Sequence, residues 1–165
     1  MVNNMYYVNY FFIMSFLGHF IESVFFSSKG SGILFSYWTP VYGIGCIIIL
    51  IIYKCVNKIN MNRFCKFITL FIMCTIILSS IESLGGYLIK SIFNKELWSY
   101  TNHKFNIGRY TSLEISFVWG LSSILFIYII KPILDGFIKR IPKILSLVCI
   151  SLFVLDIVAT FFIKS

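Results

Sequence analysis

The chain has 165 residues, 59% of them hydrophobic, 19% aromatic and only 12% charged, with a formal net charge of +8. A soluble domain carries about 25% charged residues, and a water-exposed surface built at a mean hydropathy of +0.91 would be rich in Phe and Ile and would aggregate. A soluble enzyme and a disordered chain are thereby excluded, and the expected fold is all-α: a polytopic membrane protein with a bundle of about five transmembrane helices.

A membrane-spanning helix needs about 20 mainly apolar residues. Five segments qualify, at residues 5–26, 37–54, 65–90, 110–130 and 144–163, within one transmembrane domain covering 1–165. The first has no basic run before it and no small-residue cleavage site after it, so it is expected to stay as an anchor. The second opens on Tyr37-Trp38-Thr39-Pro40, and proline suits the first turn of a helix. Gly43 and Gly45 follow, where close packing or a bend is expected. The link 131–143, with Lys131, Pro132, Asp135, Lys139, Arg140 and Pro142, reads as a short amphipathic piece lying on headgroups.

Basic residues between apolar blocks orient a chain in the bilayer. The links 54–66 (Lys54, Lys58, Arg63, Lys66) and 131–143 (Lys131, Lys139, Arg140, Lys143) carry eight, against six on the other side: Lys29, Lys90, Lys95, Lys104, Arg109 and Lys164. This balance predicts an N-terminus inside. The same placement argues against nucleic acid as a partner, since no basic run and no recognition motif occurs. The cysteines (Cys46, Cys55, Cys65, Cys74, Cys149) form no CxxC pair and read as small apolar filler, so no metal site and no cofactor is expected.

Four of the six acidic residues fall inside spans: Glu22, Glu82, Glu114 and Asp156. Each costs at least ~2.5 kcal/mol near a helix centre, yet all four sit toward the same leaflet. Ser15, Gly18, His19 and Glu22 share one helix face, as do Thr75, Ser79, Glu82, Ser83 and Gly86. Ser112, Ser116, Trp119, Gly120 and Ser123 form a third such face. These faces point inward, either as close-packed interfaces or around a wet cavity. Between the third and fourth spans, residues 98–109 combine aromatics, amides and cations. Trp98 and Tyr100 suit an interfacial belt, and Arg109 is expected to pair with Glu82 or Glu114. The candidate ligand-binding residues are Glu22, Glu82 and Arg109 in one cavity, with His19, Tyr42, Asn106, Trp98 and Glu114 around them.

Ser15-Phe16-Leu17-Gly18 with Glu22, then Pro40-Val41-Tyr42-Gly43-Ile44-Gly45, and later Glu82 with Gly86, Trp98, Tyr100, Phe105-Asn106, Gly108-Arg109 and Trp119-Gly120, form an ordered set. That set resembles the CmpB-like family of small bacterial membrane proteins, described as type IV ABC-transporter permeases. His19 stands where that pattern has Trp, Ser99 where it has Asp and Lys104 where it has Pro. The resemblance implies a multi-pass protein of the bacterial cell membrane with a role in transport.

A carboxylate-lined pocket suits a small polar or cationic solute. No G-x-x-x-x-G-K-[ST] occurs, so ATP-driven transport would need a separate ATPase subunit. Five helices also make a thin wall for a pathway, which argues for a homo-oligomer or a partner subunit. Two alternatives stand beside transport. One is a membrane enzyme acting on a lipid or lipid-linked substrate, although HExxH, GxSxG and Asp-rich metal motifs are lacking. The other is a membrane binding or immunity-type protein.

Overall fold

A computed structural model describes residues 5–25 and 34–164. Long apolar stretches with few helix breakers close their backbone hydrogen bonds internally, as lipid demands, and most of the described residues are accordingly helical. The elements are α1 (Tyr6–Phe25), α2 (Pro40–Lys58), α3 (Arg63–Phe93), α4 (Leu113–Leu125), α5 (Lys131–Ile138) and α6 (Lys143–Lys164). A π-helical turn, Phe126–Ile130, joins α4 to α5 without a break. Among the described residues there is no strand, only an isolated bridge between Asn106 and Ser112.

Four helical stretches are long and apolar enough to cross a membrane: Pro40–Lys58, Arg63–Phe93, Leu113–Ile138 and Lys143–Ile163. α1 also has span length, at 20 residues. It turns Asn9, Tyr10 and Ser15 inward and leaves Phe16, Phe20 and Val24 exposed. The pattern is inverted relative to a water-soluble protein: Ser112, Ser123, Ser146 and Thr160 are buried, whereas Phe64, Phe162 and Ile163 are at least 70% exposed. Lipid is the solvent that such a surface fits.

The segment 131–143 departs from expectation. Lys131–Ile138 continues the helix in place of a separate piece on headgroups. Pro132 supplies the reason. It has no N–H for the carbonyl four residues back, and the turn before it widens so that the Lys131 N–H reaches the Phe126 carbonyl. Other helix ends follow ordinary capping. Asn62 accepts from the Cys65 N–H at 2.7 Å to start α3, and Asn94, at φ 48°, ends it in the left-handed region.

The chain divides into two compact units, Met1–Ile47 with Leu134–Ser165, and Ile48–Ile133. In the first, α1 and α6 meet around Phe11, Phe12, Trp38 and Phe153, whose rings pack edge to face or tilted. Ser146 donates to Asn9 at 2.6 Å inside that contact. Tyr6 and Tyr10 both donate to Asp135, at 2.7 and 2.9 Å. In the second unit α3 packs along α4. The approach is close because Gly86 lies under the Tyr110 ring and Gly120 lies against Thr75 and Phe71, where a methyl group would collide. The inward stripes of α3 and α4 are therefore a tight interface at these positions. Thr75, Ser116 and Ser123 return their hydroxyls to carbonyls four residues back. Lys29 lies outside the described residues.

Candidate functional site

Glu82 sits on the buried face of α3, 7% exposed, and its two oxygens have different partners. The Tyr100 hydroxyl donates to Oε1 at 2.9 Å, and the Trp119 indole N–H donates to Oε2 at 2.9 Å. One donor comes from the α3–α4 loop and the other from α4. Both are neutral. Among the described residues no Lys or Arg forms an ion pair with Glu82, so the expected Arg109 partnership is not formed.

Arg109 instead grips Glu96 with two nitrogens, at 2.6 and 2.7 Å. Arg109 is 54% exposed, so the pair stands in the α3–α4 loop and not in the helix interface. The two Arg109 bonds hold the Glu96 carboxyl below the usual carboxylate range, and Glu96 raises Arg109 in return. The physical reason is reach. Glu96 lies just past the end of α3, where a bidentate pair forms at a small desolvation cost to either ion. Glu96 carries no signal of this pairing in the sequence, because it lies between the spans and not among the costly intramembrane acids.

The loop that carries Tyr100 has its own bracing. The Tyr100 N–H donates to the Arg109 carbonyl, the Ile107 N–H to Thr111, and the Leu113 N–H to Phe105. Gly108, at φ 80°, makes the turn between them. Asn106 spends its side chain on the Thr101 carbonyl at 3.1 Å. Glu114, in the first turn of α4, accepts from the Phe105 N–H at 3.2 Å and lies 3.9 Å from the His103 ring. Trp98 lies against Gly85 and tilts toward Tyr110. Thus Glu82, Trp98, Asn106, Arg109 and Glu114 all belong to this loop-and-helix region of one unit. Tyr100 and Trp119 complete it. Their signal in the sequence was an aromatic N–H or O–H beside a buried carboxylate.

His19, Glu22 and Tyr42 belong to the other unit and make a second polar group. The Tyr42 side chain seats on Gly18 and hydrogen-bonds Glu22. His19 packs edge to face on Tyr37. Asp156 ends in the same unit as an acceptor for the Phe35 and Ser36 N–H groups, at 2.9 and 3.0 Å. Within each unit, then, one intramembrane acid accepts from a link between helices, Glu82 from Tyr100 and Asp156 from Phe35 and Ser36. An open cleft of about 250 Å³, lined by Tyr7, Phe11, Phe12, Ile47, Ile150 and Phe153 among others, carries no carboxylate. Among the described residues no group of three His, Cys, Asp or Glu side chains could hold a metal ion.

A carboxylate with one neutral donor on each oxygen keeps free lone pairs and no compensating cation. It can accept N–H or O–H donors from a solute, and a cationic donor would bind more strongly than either aromatic. No curated protein and no solved structure matches the chain. A family model, ABC_trans_CmpB, described as "Putative ABC-transporter type IV", matches residues 9–161. The match runs from α1 to α6 and takes in both polar groups, so the chain belongs to this ABC-transporter family and is a transport-related, multi-pass membrane protein.

Proposed function

We propose that the chain is the membrane-embedded component of a bacterial cell-membrane transporter that takes a small polar or cationic solute at Glu82. The observation that carries this reading is the Glu82 carboxylate, buried in an apolar helix pair with two neutral donors and no cation. Burying a carboxylate in this way is costly, and a solute-binding role accounts for keeping it. Trp98, Asn106, Arg109 and Glu114 flank it in the same unit, and His19, Glu22 and Tyr42 offer a second polar surface in the other. The N-terminus is cytoplasmic in this reading. Energy comes from a separate ATPase subunit, since the chain has no phosphate-binding loop of its own.

The test is a thermal-shift screen of the detergent-solubilised protein against small ammonium, guanidinium and polyhydroxyl solutes. Wild type is expected to be stabilised by a subset of them, by RT ln(1 + [L]/Kd). Glu82→Gln keeps the shape and removes the charge, and is expected to lose that stabilisation while its solute-free melting temperature stays close to wild type. A Glu82→Gln protein that responds to the same solutes with the same shifts would overturn the proposal.

A further inference from the structure

We infer that Tyr100 is a tethered competitor for the solute, so that the α3–α4 loop is a latch closed over Glu82. The inference rests on the reading of Glu82 as a solute-binding carboxylate and adds how access to it is controlled. The Tyr100 hydroxyl occupies Oε1 at 2.9 Å, the position that an incoming N–H or O–H donor would take. Trp119 donates from a helix, whereas Tyr100 donates from a loop, and only the loop donor can leave without unpacking α3 from α4.

The loop is built as a movable body. Its hydrogen bonds from Tyr100 to Arg109, Ile107 to Thr111 and Leu113 to Phe105 are internal or go to its junction with α4. Its seat on α3 is made by aromatic rings, Trp98 at Gly85 and Tyr110 at Gly86 with its ring edge to face on Tyr87. Of the buried side-chain polar atoms of this unit that lack a hydrogen-bond partner, three lie in the loop or beside Glu82: Trp98 Nε1 and Thr111 Oγ1 in the loop, and Ser79 Oγ one turn from Glu82. Buried polar atoms are nearly always paired, and these three find partners once water or solute enters beneath the loop. A phenol is a neutral donor, and charge-assisted hydrogen bonds are roughly twice as strong. A cationic solute therefore displaces Tyr100, whereas water on its own leaves the latch closed.

The experiment measures access to Glu82 without needing the natural solute. Wild-type protein in detergent is treated with N,N′-dicyclohexylcarbodiimide, and the N-acylurea formed at Glu82 is followed by mass spectrometry, with Glu82→Gln as the blank. Tyr100→Phe is expected to speed labelling by roughly 2- to 12-fold, the factor that one hydrogen bond of ordinary net strength gives to an opening equilibrium. Glu96→Gln acts from outside the buried region by loosening Arg109, whose carbonyl holds the Tyr100 N–H, and is expected to speed labelling by a smaller factor. It serves as the reading if Tyr100→Phe does not fold. Unchanged labelling in the folded variants overturns the latch. The two proposals fail separately: faster labelling with an unaltered Glu82→Gln solute response removes the solute site and keeps the latch, and the opposite pair of results does the reverse.

Discussion

Arg109 and Glu96 form a bidentate pair in the α3–α4 loop, with nitrogen–oxygen distances of 2.6 and 2.7 Å. The most conspicuous cation near the buried carboxylates is thus neutralised by an acid that lies outside the membrane spans. Glu82 is left to two aromatic donors.

An exposed pair contributes little to stability and is screened by salt. Arg109→Ala is therefore expected to lower the melting temperature only slightly at neutral pH, whereas loss of a buried partner would be severe. The pH dependence has a definite sign. The Glu96 carboxyl is held below its ordinary value by the Arg109 bonds, so its contribution is fully present above the unfolded carboxylate value and disappears as pH falls through the folded one. Melting curves of wild type, Arg109→Ala and Glu96→Gln should separate at neutral pH and converge in acid and in high salt. A large, salt-independent loss in Arg109→Ala would show that Arg109 serves a buried acid after all.

Two glycines test the α3–α4 interface. A methyl group at Gly120 would strike the Thr75 hydroxyl and stand 2.8 Å from the Phe71 ring, whereas one at Gly136 meets nothing within 4 Å. Gly120→Ala is expected to destabilise by about 1–3 kcal/mol, as overpacking does. Gly136→Ala, on the open face of α5, should be neutral or gain up to about 1 kcal/mol from helix propensity. Unfolding in mixed micelles reads both, and equal effects at the two sites would contradict the close approach.

Helix positions were legible in the sequence because hydropathy and length act locally. The spans expected at 65–90 and 144–163 became Arg63–Phe93 and Lys143–Lys164. Partner choice was less legible, because it depends on residues far apart in the chain. Nothing near Asp135 in sequence announces Tyr6 and Tyr10, at separations of 129 and 125 residues. The Pro132 effect could be anticipated as a disturbance, but not whether the helix would stop or widen there. Glu82 was found through its cost. Its donors were not, because charge rules point to cations and the structure uses an indole and a phenol.

The orientation proposed from the basic links is open to direct measurement. Ser99 and Asn57 are both exposed in the structure, in the α3–α4 loop and near the end of α2. With the N-terminus cytoplasmic, a cysteine at 99 in a cysteine-free background should react with an impermeant maleimide added to intact cells. A cysteine at 57 should react only after the membrane is opened. The reverse pattern would invert the topology and leave the Glu82 arrangement unchanged.

The Trp119–Glu82 bond allows a thermodynamic test that needs no solute. Trp119→Phe retains a large ring but removes the N–H at 2.9 Å from Oε2, leaving that oxygen without its donor. Such a loss costs about 1–3 kcal/mol when the remaining polar atom stays buried. Glu82→Leu removes the acceptor that the indole N–H and the Tyr100 hydroxyl share. If the three groups act as one network, the double variant should cost less than the sum of the single ones, with a coupling of about 0.5–3 kcal/mol. Reversible unfolding of the four proteins in one detergent measures it. Strict additivity would mean that the carboxylate draws no stability from the indole, and that α3 and α4 are held by the glycine contacts and the surrounding apolar packing alone.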